Sequence, residues 1–173
     1  MNEEREQIQR IFEDNVFTFI ERDIRREVEL ARLPGVCVSC GTEPGGGNFM
    51  AAMSLLSYTE FMGSFITGTF GRGTGRRNFE AFFDQLGNGY RDFREGIDVY
   101  DVYRCGMVHE YTVKQSADIF MTTGDESCGL GRQASGRLYF VVERYLEDFI
   151  AAARTLYGTI LASSDARRPV KVM

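Results

Sequence analysis

Val102-Tyr103-Arg104-Cys105-Gly106-Met107-Val108-His109-Glu110-Tyr111 holds the sole histidine of a 173-residue chain. Chemistry that needs an imidazole near neutral pH must therefore happen on this stretch. With Ile97 and Tyr100 ahead of it, the stretch reads as an amphipathic helix, and Asp98 in its first turn suits the positive end of the helix dipole. A glycine inside a helix costs roughly 0.5 to 1 kcal/mol relative to alanine, so Gly106 calls for a close neighbour. At α-helical spacing Val102, Cys105, Gly106 and His109 share one flat face, which a second helix or a nucleic-acid backbone can approach.

The segments around it are mostly helical as well. From Asn2 to Leu33 the residues Ile8, Ile11, Phe12, Val16, Phe19, Ile20, Ile24 and Val28 recur at helical spacing, ended by Pro34-Gly35. At 1.5 Å per residue that helix is about 45 Å long, so a break near Asn15 to Thr18 or packing on another subunit is expected. Asn48 can cap a helix from Phe49 to about Thr67, with Met50, Met53, Leu56, Phe61, Phe65 and Ile66 as core candidates. Asn78 can cap a short helix, Phe79 to Leu86. The clearest helix runs from Val142 to about Leu161, followed by a frayed tail over 163–173. Asp118 to Thr122 and Arg137 to Val141 read as short strands that can form a small β-hairpin over about 118–141. The expectation is a mainly α helical bundle, one domain over residues 1–173, with that hairpin inserted before the last helix.

Composition bounds the function. With 43% hydrophobic and 13% aromatic residues the chain can bury one substantial core. No apolar run reaches the roughly 18 residues that span a bilayer, so a cytoplasmic protein without a membrane partner is expected. Four cysteines are too few and too unevenly spaced for a disulfide framework. Cys37 and Cys40 have the spacing of half a zinc site but lack a second half at short range, so neither a metal nor another cofactor is expected. A net charge of -5 argues against a protein that coats nucleic acid through counterion release, though a local basic site remains compatible with it. All of the 20 basic residues except Lys114 and Lys171 are arginines, which can fork onto phosphate or carboxylate. The glycine-rich stretch Gly68 to Arg77 places Arg72, Arg76 and Arg77 where backbone amides can approach an anion, although a solvated connection explains it more simply.

Arg104, four intervening residues and His109, in a helix of a small helical protein, resemble the signature of the HEPN superfamily, the higher eukaryotes and prokaryotes nucleotide-binding domain. The resemblance implies a helical bundle that homodimerises with its signature helices facing each other. It also implies metal-independent endoribonuclease activity in a toxin, antiviral or RNA-processing role, with a cognate antitoxin or regulatory protein as a partner. Arg104 and His109 are then the catalytic pair, and Val102, Cys105 and Gly106 the dimer contact. Tyr111 and Lys114, just beyond, are expected to touch RNA, with Arg72, Arg76 and Arg77 as further substrate contacts. Where the family often has a polar residue after the arginine, this chain has Cys105. The competing expectation is an inactive dimeric scaffold or a nucleotide- or RNA-binding module, in which Arg104 merely pairs with Asp101 or Glu110 along its own helix.

Overall fold

The computed structural model describes residues 3–33, 47–122 and 127–165. The Pro34-Gly35 stop, the Cys37 and Cys40 pair and the tail beyond Asp165 lie outside the described residues. The fold is mainly α with a small sheet before the last helix, as the sequence patterning predicts. Its order is α1 (Glu3–Arg10), π1 (Ile11–Ile20), α2 (Glu21–Ala31), α3 (Asn48–Thr67), α4 (Gly75–Phe83), α5 (Asn88–Glu95), π2 (Tyr100–Glu110), β1 (Ala117–Phe120), β2 (Leu130–Arg132), β3 (Leu138–Val141) and α6 (Val142–Asp165). π1 and π2 are π-helical, with backbone bonds from residue i to i+5.

α1, π1 and α2 follow one another directly, so the long first helix does not break where a break was expected. Instead it changes its hydrogen bonding over the region that contains Asn15 to Thr18. The buried residues say why. Ile8, Phe12, Val16, Ile20, Ile24 and Val28 are all shielded, at a strict spacing of four. In an α-helix, four residues turn about 400°, so this stripe would drift about 40° per step and leave the core. A π turn advances only about 80° per residue, and four residues then drift backward by a similar amount. π1 thus resets the phase and holds the stripe on one side. The Glu21 amide donates to Val16 O, and the Thr18 hydroxyl donates to Glu13 O at 2.6 Å, both five residues back. Ile8, in the first part of this helix, is buried within the chain itself.

α3 is the central helix, with Ala52, Leu55, Leu56 and Met62 fully buried. Met50 and Ile66, read from the sequence as core, are exposed. α3 and α4 meet at Gly63, where any Cβ would coincide with the backbone carbonyl of Asn78. Asn78 is not a cap. It lies buried inside α4, accepting from the Thr67 and Thr69 hydroxyls at Oδ1 and donating through Nδ2 to Ser64, Thr74 and the Thr69 carbonyl. This network fastens both ends of the glycine-rich connection. The cap position of α3 is Gly47, and Asn48 in the first turn accepts the Phe49 amide at Oδ1 (2.9 Å) while its side-chain amide donates to Ile119 O of β1 at 2.7 Å.

The sheet order is β1-β3-β2. The two strands expected to form the hairpin, β1 and β3, instead pair in parallel, with Ala117 opposite Leu138, and the antiparallel hairpin partner of β3 is β2. β2 was not evident in the sequence, because Leu130-Gly131-Arg132 is too short to show an alternating pattern. The Tyr103 hydroxyl of π2 donates to Tyr139 O of β3, joining sheet and bundle. No described helix is long and apolar enough to cross a membrane.

Candidate functional site

π2 places the residues that the sequence singles out. At about 80° per residue, Tyr100, Arg104, Cys105 and His109 fall within an arc of about 80°, with Val102 and Gly106 roughly opposite. Burial agrees: Val102 and Gly106 are buried, Cys105 is half-buried and His109 is exposed. The flat face expected from α-helical spacing therefore divides into an inner pair and an outer pair. On an α-helix, Arg104 and His109 would diverge by about 140°. Here Arg104 Nη1 lies 3.2 Å from His109 Nε2. A guanidinium can only donate, so in this contact Nε2 accepts and the ring proton of a neutral imidazole sits on Nδ1.

Gly106 has a close neighbour, and it is the same chain. The helix ends at Tyr111 in the left-handed region (φ 55°), and the chain folds back so that the Thr112 and Lys114 amides donate to Gly106 O and Val102 O. A Cβ on Gly106 would lie 2.5 Å from Thr112 O. Val102 and Gly106 thus offer no surface to a second copy, because the chain's own 112–114 segment covers Gly106 and the core takes Val102. Cys105 remains available on the outer arc.

Arg104 is held from below by α3. Its Nε lies 2.8 Å from Glu60 Oε2. Both atoms are closed off from solvent, yet the N–H is not directed at the oxygen, so the contact is a charge pairing rather than a hydrogen bond. The Arg104 guanidinium also lies 5.7 Å from the centroid of the Tyr100 ring, and Arg76 stands 4.9 Å from the same ring. Burial and the nearby Glu60 charge push the Tyr100 hydroxyl above its usual range, partly opposed by Arg104. Glu60 and Tyr100 were not identified as site residues from the sequence. Tyr100 stands four residues before Arg104, a legible signal, whereas nothing local marks a carboxylate 44 positions upstream.

No family model, curated protein or solved structure matches this chain. Lys114 is engaged by Asp101 at 2.9 Å and Glu110 at 3.1 Å, and these carboxylates hold its ammonium above the ordinary lysine range. Arg104 uses neither acid, contrary to the simplest pairing along its own helix. Arg76 pairs with Asp98 at 2.7 Å, which raises the guanidinium and lowers the Asp98 carboxyl from their usual values. Asp98 Oδ1 also accepts from the Asp101 amide at the head of π2. Arg72 and Arg77 are exposed and have no ion-pair partner among the described residues. Tyr111 is 73% exposed, its ring 6.2 Å from that of Phe49 and within 9° of parallel. The structure thus brings together Arg104 and His109, with Tyr111 close by in sequence. Lys114 and Arg76 are committed to carboxylates.

Proposed function

We propose that this chain is a metal-independent endoribonuclease of the HEPN type, with Arg104 and His109 as its catalytic pair. The observation that carries the reading is the 3.2 Å contact between Arg104 Nη1 and His109 Nε2 on the outer arc of π2. A permanently charged phosphate ligand and a proton-transfer group then share one site.

RNA carries its own nucleophile, the 2′-hydroxyl, which DNA lacks. His109 Nε2 takes that proton as the 2′-oxygen bonds to the adjacent phosphorus, and the bond to the 5′-oxygen breaks. The leaving oxygen takes a proton from a second imidazolium, giving a 2′,3′-cyclic phosphate and a 5′-hydroxyl. Arg104 forks onto the phosphate oxygens as charge builds. A phosphate entering the site competes for the guanidinium and so releases the Nε2 lone pair that Arg104 occupies in the free protein. With one histidine per chain, base and acid come from two copies, which makes a homodimer through the Cys105 and His109 face part of this proposal. A cognate antitoxin or regulatory protein belongs to the same reading.

The test is RNA cleavage in excess chelator with single-stranded DNA left intact. His109→Ala and Arg104→Ala should each lower the rate by about 100-fold or more. Cleavage that survives His109→Ala, or that stops with chelator, overturns the mechanism. The Glu60 contact favours a second reading, an inactive scaffold or RNA-binding module, because a guanidinium already paired with a carboxylate needs no substrate. In that case both substitutions change stability or partner binding, and no cleavage is seen in the wild type.

A further inference from the structure

We infer that Tyr111 and Phe49 form the base-binding wall of this site and take one unpaired nucleobase of a single-stranded RNA beside the phosphate held by Arg104. The inference rests on the ribonuclease reading for its substrate class.

Tyr111 is 73% exposed, so almost none of its ring contributes to the core. Its backbone occupies the left-handed region (φ 55°), a conformation uncommon for a bulky residue and ordinarily supplied at a helix end by glycine or asparagine. A helix stop alone therefore gives no reason for an aromatic here. The Tyr111 ring runs within 9° of parallel to Phe49, at a centroid separation of 6.2 Å. Phe49 belongs to the first turn of α3, and Met50, the next residue, is 55% exposed.

The same helix pair carries the charge chemistry. Glu60 of α3 meets Arg104 of π2, and Phe49 of α3 meets Tyr111 at the end of π2, so the two helices run antiparallel with His109 between the two contacts. Arg104 and Tyr111 are seven residues apart, roughly 8 to 10 Å of helix. That is one to two nucleotide steps of an extended strand. Two parallel rings offer far less than the roughly 800 Å² per partner that a stable protein interface buries, but they match the face of one base. On the Tyr111 side the flanking residues are polar, with Glu110 and Thr112 exposed, which suits a base edge, while Met50 extends the apolar surface on the Phe49 side.

The probe is a single-stranded oligonucleotide of 2′-deoxynucleotides carrying 2-aminopurine, which has bases but no 2′-hydroxyl and cannot be cut. Binding is read by fluorescence quenching and compared with an abasic strand of equal length. The wild type should quench the probe and bind the abasic strand about tenfold more weakly. Tyr111→Leu should lose about tenfold in affinity and most of the quenching, with an unchanged salt slope, while Tyr111→Phe retains both. Equal binding of the abasic strand, or of Tyr111→Leu, overturns the inference and leaves the ribonuclease reading standing. Quenching that depends on Tyr111 in a protein that does not cut RNA sinks the ribonuclease reading and keeps the wall. A wild type that binds neither strand sinks the wall, whatever the cleavage assay then says.

Discussion

π1 and π2 share one pattern of backbone hydrogen bonds and put it to opposite uses. In π1 the slower turn serves the interior: Phe12, Val16 and Ile20 stay in line with Ile8 before it and with Ile24 and Val28 after it. In π2 the same turn serves the surface, gathering Tyr100, Arg104, Cys105 and His109 on one side while Tyr103 and Met107 point into the core. Helical phase is thus a variable with two outputs, a straight core stripe or a compact polar cluster, and which one results depends on which side carries the chemistry. π turns are uncommon and frequent at functional sites. Here one of the two has a purely structural explanation, so π geometry alone does not mark a site.

The core beneath π2, where Tyr103 packs through Phe140 on Tyr145 of α6 and Tyr145 on Tyr90 of α5, should show the largest response, and base elicits it. Tyr103, Tyr90 and Tyr145 are buried, and burial pushes all three hydroxyls above the usual tyrosine range. Below about pH 10 both folded and unfolded chains keep these protons. Above it the unfolded chain releases them and the folded chain does not, so the stability present below pH 10 is lost as pH rises toward the folded values. The decline should approach about 4 kcal/mol per pH unit for the three together. Denaturant titrations from pH 9 to 12 measure it, and a flat stability profile with all eight tyrosines ionising near pH 10 would contradict the burial.

For π1 the sharpest break is Phe12→Ala. Its ring is fully buried among Phe65, Phe17 and Tyr157, with the nearest centroid, that of Tyr157, at 5.0 Å. A loss of about 3 to 5 kcal/mol in unfolding free energy is expected. Arg104→Ala removes no core side chain but leaves the shielded Glu60 Oε2 without its cation, so its cost should be smaller, about 1 to 3 kcal/mol, and a cost equal to that of Phe12→Ala would erase the distinction between a core stripe and a polar cluster.

Gly106→Ala probes the seam between the two sides of π2. A methyl group there meets the Thr112 carbonyl, so the 112–114 segment must shift, at a cost of about 1 to 3 kcal/mol. Because the neighbour is the same chain, the loss should be independent of protein concentration. A loss that grows on dilution would place a second copy over Gly106 instead.

The sequence carried the helices well because their apolar spacing is strong, and it carried the position of the sheet through Ile119 and Tyr139-Phe140-Val141. What it hid was phase. Ile8 to Val28 at a strict period of four was legible in the letters, but that period becomes a π segment only once every one of those residues is required to face the core. The outer arc of π2 was misassigned for the same reason: at 100° per residue Val102 and Gly106 join His109, and at about 80° they leave it. Glu60 was hidden because a contact between helices leaves no local mark. Asn78 was hidden because polar residues in turns are ordinarily caps, and here one is the buried centre of a hydroxyl network.

The central claim is that π2 brings Arg104 onto Nε2 of His109, and the single histidine lets one ring report on it. Long-range proton–nitrogen NMR correlations on uniformly ¹⁵N-labelled protein, at about pH 8.5 where a model imidazole is neutral, identify which ring nitrogen bears the proton. The contact predicts the proton on Nδ1 in the wild type, and a change to the Nε2–H form that water ordinarily favours in Arg104→Ala. A wild-type ring with its proton on Nε2, unaltered by Arg104→Ala, would contradict the account.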